Sequence, residues 1–210
     1  SKKDVTVVLT GYGGDELFYG YERYNIMQSV WESTKYLSPF LCKLIVKIIQ
    51  NTPCIPNNMK RFSTHLSEKS QGRTLLYSYM LHLTNNYQNV DKILNKSNLN
   101  YEKILKIEDF KNKKLNLKDL VRYIDIVTYL PDKLLTKLDR ASMFNSLEAR
   151  TPLLDHNVVE YVWSMPNKLL KKNGKNKWII RNILKKYIPE HLVDNPKKGF
   201  SAPVKYWMKS

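Results

Sequence analysis

The chain is 210 residues long, room for one domain with a proper core, and its 42% hydrophobic and 26% charged content excludes wholesale disorder. Its 35 Lys and Arg against 19 Asp and Glu give a formal net charge of +16, which favours anionic partners. The lysines are dispersed through KKNGKNKW, NKSNLNYEKILK and KNKKLNLK rather than gathered with aromatics, so a specific nucleic-acid partner is not expected; a nucleotide phosphate needs only a few of these charges.

In chain order, VTVVLT at residues 5–10 comes first, a short β-branched run closed by glycine. It predicts a strand buried on both faces, as in a parallel sheet, and it is the only convincing strand. Helical patterns follow at Tyr24 to Ser33, Phe40 to Gln50, Leu75 to Thr84, Leu117 to Tyr129, Asp132 to Phe144, Asn157 to Trp163 and Lys177 to Tyr187. Pro39, Pro53, Pro56, Pro131, Pro152, Pro166 and Pro189 fall near their edges, where proline belongs. A parallel strand needs neighbours to satisfy its backbone. The expectation is therefore that its sheet partners lie outside this chain or that it is an edge, and that residues 1–210 are the C-terminal part of a larger α/β protein.

Cys42 and Cys54, the only cysteines, are too few for a disulfide framework or a four-thiolate zinc site. His65, His82, His156 and His191 show no metal-ligand spacing. No stretch is long and apolar enough for a membrane span, and residues 1–10 lack the features of a signal peptide. A cytoplasmic location without a membrane partner is the default expectation.

Chemistry concentrates in LTGYGGDE, where Gly11, Gly13 and Gly14, three of the seven glycines, precede Asp15 and Glu16. A strand, a glycine turn and a helix start form an arrangement in which backbone N–H groups can face an anion. A tight turn needing positive φ, with Asp15 favoured by the helix dipole, explains the same residues without a ligand. A carboxylate at the end of a strand in an open α/β sheet is also placed to hold Mg²⁺ beside a phosphate.

VVLTGYGGDELFYGYERY closely resembles the S-G-D-G-G-D-E-x-F-G-G-Y segment of asparagine synthetases and their relatives. LTKLDRASMFNSLEARTPLLDH, residues 135–156, resembles their K-x-D-R-x-x-M-x-x-x-x-E-x-R-x-P-x-L-D block, and NPKKGFSAPVKYW, residues 195–207, their R-P-K-x-G-F-x-x-P-x-x-x-W block. The resemblance implies an α/β, mostly helical fold: the C-terminal portion of an adenine nucleotide α-hydrolase-like (PP-loop ATP pyrophosphatase) domain. It implies activation of the aspartate side-chain carboxylate with Mg-ATP as an acyl-adenylate, and attack by glutamine-derived ammonia. Asp15 matches a Mg²⁺-pyrophosphate ligand; Gly11, Gly13 and Gly14 match the loop around nucleotide and substrate; Lys197 matches the lysine that stabilises charge on the reacting phosphate. Lys198 is the neighbouring alternative.

In the second block, Lys133, Lys137 and Arg140 share one helical face, which reads as solvated or paired, and Glu148, Arg150 and Asp155 read as an ion-pair set fixing the chain around Pro152. The family's pyrophosphate loop, S-G-G-x-D-S, and its glutaminase domain are not found in these residues, so the chain alone is expected to be inactive. Tyr12 stands where most members carry Asp or Glu. Its use as a base at pH 7 costs about 4 kcal/mol, so hydrogen bonding or a proton relay suits it better. Tyrosine at this place resembles the β-lactam synthetases, which leaves open a different carboxylate acceptor; a catalytically silent helical binding module is the reading from another class.

Overall fold

The computed structural model describes residues 4–52, 57–70, 79, 115–194 and 207–208. Among these residues helices dominate and strands are short. Strand β1, Val7–Leu9, pairs in parallel with β2, Glu148–Arg150, with Val7 opposite Glu148, Val8 opposite Ala149 and Leu9 opposite Arg150. The ladder continues one residue at each end, from Glu148 N–H to the Thr6 carbonyl and from Thr10 N–H to the Arg150 carbonyl, both 2.8 Å.

Two expectations are corrected here. The run is not buried on both faces: Val7 is 37% and Leu9 73% exposed, and Val8 is half-buried. Nor does the strand lack a partner in this chain, since β2 lies in the segment read as an ion-pair set. Glu148-Ala149-Arg150 alternates with the period of a strand, but three residues are too few for that period to register. Arg150 does pair with Glu148 at 2.6 Å, both side chains well exposed. Asp155 instead accepts the Asn157 N–H at 2.9 Å and caps a helix.

After the glycine turn come a one-turn helix α1, Gly14–Leu17, then α2, Glu22–Thr34, and α3, Pro39–Gln50. Helix α3 begins as its sequence dictates: Pro39 occupies the first turn and the Ser38 hydroxyl accepts the Leu41 N–H at 3.3 Å. Its Cys42 and Val46 pack on Leu66 of α4, Asn57–Ser70, with Phe62 at the margin. Helix α4 was not expected, because Met59, Phe62 and Leu66 are its only strongly apolar residues. The pattern at Leu75 to Thr84 lies outside the described residues except for Tyr79, which is helical and fully buried.

The two patterns at Leu117 to Tyr129 and Asp132 to Phe144 run on without a break. Helix α5, Leu117–Ile124, capped by the Asn116 side chain, passes into a π-helical stretch, Asp125–Leu135, and then into α6, Thr136–Met143. Pro131 lies inside the π-helical stretch rather than at an edge. Proline lacks the N–H for the ordinary helical bond and its ring collides with the carbonyl four residues back; the wider π-turn accommodates both. Lys133, Lys137 and Arg140 are exposed, as a solvated face requires.

Helix α7, His156–Ser164, follows a 3-10 turn at Pro152–Leu154, and α8, Asn167–Leu170, leads into a hairpin of β3, Lys171–Lys172, and β4, Lys175–Asn176. Asn173 and Gly174 both take positive φ, 51° and 74°, as a two-residue hairpin turn demands. Helix α9, Trp178–Leu184, and α10, Glu190–Val193, complete the described fold. No helix among the described residues is long and apolar enough to cross a membrane.

The main core joins Leu17, Phe18 and Tyr19 to Tyr24 and Met27 of α2, Val121 and Ile124 of α5, Val162 of α7 and Leu170 of α8. At its heart the fully buried Asp125 carboxylate accepts from Arg23 Nη2 at 2.6 Å, Tyr24 Oη at 2.6 Å and Tyr79 Oη at 2.7 Å. The Arg23 guanidinium lies 3.7 Å from the Tyr21 ring centroid and 4.7 Å from that of Tyr129. Removing one charge of such a pair strands the other in a dry site. Asp125→Asn is expected to cost about 3 kcal/mol of folding stability, read from urea unfolding; a change below about 0.5 kcal/mol would contradict this role.

A second carboxylate organises the C-terminal surface. Asp194 meets Arg181 at 3.0 Å, Lys185 at 3.1 Å and Lys175 at 3.2 Å. The hydrogen bonds from Lys185 and then Lys175 pull its pKa from 3.8 to about 2. Because the folded value lies below the unfolded one, protonation favours the unfolded chain. The contribution is complete above about pH 4 and lost as pH falls toward 2. Melting temperature should drop across that window, and Asp194→Asn should flatten that part of the decline.

Candidate functional site

β1 ends at a turn whose geometry the glycines make possible. Gly14 N–H reaches back to the Gly11 carbonyl at 3.2 Å, and Gly13 takes φ 86° as the residue before α1. A Cβ on Gly13 would stand 2.2 Å from Leu154 Cδ2, and one on Gly14 3.1 Å from Leu153 Cδ1. These two glycines therefore admit the 3-10 turn at Pro152–Leu154, which is a packing reason. Gly11 has none: it is exposed, and a Cβ there would meet nothing within 4 Å. Beside it the Thr10 hydroxyl is buried with no hydrogen-bond partner among the described residues, a rare condition in a folded chain.

The helix start expected behind the glycines is there as α1, but it is a single turn of four residues and its dipole is small. The far end of that turn is held instead by Arg122, 1% exposed, which donates to the Leu17 carbonyl at 3.1 Å and lies 3.9 Å from the Trp163 ring centroid.

The acidic pair divides. Glu16 points inward, 1% exposed, and accepts from Tyr21 Oη at 2.6 Å; burial raises its pKa above the ordinary carboxylate value. Asp15 points outward, about a quarter exposed, and its Oδ1 is 2.7 Å from Lys177 Nζ. Lys177 is delivered by the hairpin: it follows β4 directly, takes φ 55°, and its N–H bonds the Phe18 carbonyl at 3.0 Å. The residues read as the site thus lie together at Gly11 to Asp15, with Tyr12 half-buried among them. Lys197 and Lys198 lie outside the described residues.

Lys177 and Gly20 were missed by sequence reasoning. A Cβ on Gly20 would stand 1.9 Å from Asp15 Oδ1, 2.4 Å from Lys177 Cε and 2.7 Å from the Asp15 Cα, so the ion pair in this geometry occupies space that a side chain at residue 20 would take. The signal for Lys177 was available in the Asn-Gly dipeptide of KKNGKNKW, which marks a hairpin. Among the described residues no three His, Cys, Asp or Glu side chains could together hold a metal. An ion here would need ligands beyond the described side chains; Mg²⁺ bound through one carboxylate and substrate phosphates meets that condition. Gly20→Ala is expected to force Asp15 and Lys177 apart and to destabilise the fold by about 1–3 kcal/mol, measured by chemical denaturation; an unchanged midpoint would contradict the tight approach.

The family model described as asparagine synthase matches residues 1–210. The glutamine-hydrolysing asparagine synthetase 1 of Bacillus subtilis (strain 168) is 31% identical over 100% of this chain and 33% of its own length. Asparagine synthetase 3 of the same organism is 33% identical over 37% of this chain and 12% of its own length, and the amidase chyE of Penicillium rubens 33% identical over 33% and 11%. The chain spans about a third of the length of the relative that it matches end to end. No solved structure matches it. The mostly helical build with a few short strands agrees with the PP-loop ATP pyrophosphatase fold of those synthetases, and the chain belongs to the asparagine synthase family.

Proposed function

We propose that the chain forms one side of an ATP-dependent synthetase centre that activates the aspartate side-chain carboxylate as an acyl-adenylate, releasing pyrophosphate, for attack by glutamine-derived ammonia to give asparagine. The supporting observation is the glycine turn. Among the described residues nothing packs where a Gly11 Cβ would stand, and the buried Thr10 hydroxyl beside it has no protein partner. A polar ligand seated on the turn would explain both.

In this reading Asp15 holds Mg²⁺ together with the leaving pyrophosphate. The bound ion would supply neutralisation of the negative charge that builds on the phosphate oxygens. Glu16 takes no part as a ligand, because its carboxylate is committed to Tyr21 inside the core. Lys197 supplies a fixed cation for charge developing on the reacting phosphate and acyl oxygens, where electrostatic stabilisation lowers the barrier most. Tyr12 orients the acceptor or relays a proton, since a tyrosine hydroxyl is far less ready as a base than a carboxylate. With the pyrophosphate loop and the glutaminase segment supplied from outside residues 1–210, this chain alone is inactive.

Tyr12 also supports a second reading, a relative that activates a different carboxylate, as β-lactam synthetases do. That two fungal relatives are named amidases is compatible with varied acceptors in such proteins.

The test uses the full-length gene product with ATP, Mg²⁺, aspartate and ammonia, following pyrophosphate and asparagine. Asp15→Asn is expected to lower pyrophosphate release by about 100-fold or more; full activity would overturn the metal role. Unchanged turnover in Tyr12→Phe would remove that hydroxyl from the mechanism. Pyrophosphate release with a substrate other than aspartate, and none with aspartate, would select the second reading. Asparagine made by purified residues 1–210 would overturn the requirement for the missing segments.

A further inference from the structure

The carboxylate assigned to the metal is already occupied by a cation. Lys177 Nζ sits 2.7 Å from Asp15 Oδ1, with both side chains between a quarter and a third exposed. Three features show that the pair is built rather than incidental. The backbone of Lys177 is fixed by its bond to the Phe18 carbonyl, it holds an uncommon left-handed conformation after a hairpin of defined turn, and Gly20 clears the space in which the pair meets. A divalent ion approaching Asp15 alone would meet the ammonium at the same oxygen, and like charges at that separation repel. A polyphosphate removes the conflict, because it offers oxygens to both cations at once.

We propose that Lys177 is a resident counter-cation on Asp15 that keeps free divalent metal out and yields to it only when polyphosphate arrives, then turning its ammonium to a phosphate oxygen. Metal binding at Asp15 is therefore conditional on the nucleotide. The proposal rests on Asp15 being the metal ligand; Lys177 controls the metal through Asp15 and, once polyphosphate is bound, contacts it directly.

The test is Mn²⁺ binding to the full-length gene product, read from the electron paramagnetic resonance signal of free Mn²⁺, with and without a non-hydrolysable ATP analogue. Without nucleotide, the wild type should bind Mn²⁺ weakly at this site. Lys177→Gln should bind it about tenfold more tightly, and Lys177→Arg should behave as wild type because the cation is kept. The gain should vanish in Lys177→Gln combined with Asp15→Asn. With the analogue present, wild-type Mn²⁺ affinity should rise, and the Lys177→Gln protein should bind the analogue several-fold less tightly. Lys177→Asn, a residue that tolerates the left-handed backbone, provides a second neutral variant if the glutamine protein melts early.

Equal Mn²⁺ affinity in wild type and in a folded neutral variant would overturn the proposal, as would a gain that survives loss of Asp15. Failure of the parent reading looks different: Asp15→Asn would then leave Mn²⁺ binding unaltered with the analogue present.

Discussion

Asp125 is the constraint on which the described fold depends. An ionised carboxylate with no exposure is costly to bury, and here it is held by donors from two residues of α2 and from Tyr79. Once these bonds are made, α2 cannot rotate or slide against the π-helical stretch without stranding a charge. Helix α2 is separated from α1 by only four residues, Phe18 to Tyr21, and so the glycine turn inherits its position over the core. The buried Arg122 acts beneath the same turn, from α5, so charge as well as apolar packing holds the site from below.

Much of the helical framework was legible from apolar spacing and from proline near its edges: α2, α3, α7 and α9 lie within a few residues of the expected positions. What could not be read had specific physical causes. Pro131 looked like a boundary because proline ordinarily ends an α-helix, whereas here the chain widens around it. The burial of β1 could not be read from β-branched residues, which suit an exposed strand as well as a buried one. Its pairing with β2 is a contact across more than 130 residues of sequence, invisible to any local pattern.

The candidate site stood out in composition, but the reasons for its residues did not. Crowded glycines pointed to the turn, yet each answers a different demand. Gly13 and Gly14 make room for Leu154 and Leu153, Gly11 leaves open backbone, and Gly20, outside the cluster, makes room for an ion pair. Of the acidic pair, the resemblance singled out Asp15, but the sequence showed no physical difference between it and Glu16. Only the fold separates Asp15, at the surface with Lys177, from Glu16, enclosed beneath Tyr21. Lys177 was lost among 35 basic residues because charge alone does not distinguish the one that a hairpin aims.

That hairpin works as a ruler. Its two strands have two residues each and its turn has two more, so the number of residues between Leu170 and Lys177, together with a turn pair that accepts positive φ, sets where the ammonium is delivered. Exchanging Lys172 or Lys175 leaves this length alone, although loss of Lys175 also removes its ion pair with Asp194. Inserting or deleting one residue at Asn173-Gly174 shifts the pairing register, and in a strand a one-residue shift turns side chains to the opposite face. Outside the Asn173-Gly174 turn, the segment should therefore tolerate drift in composition better than a change in length.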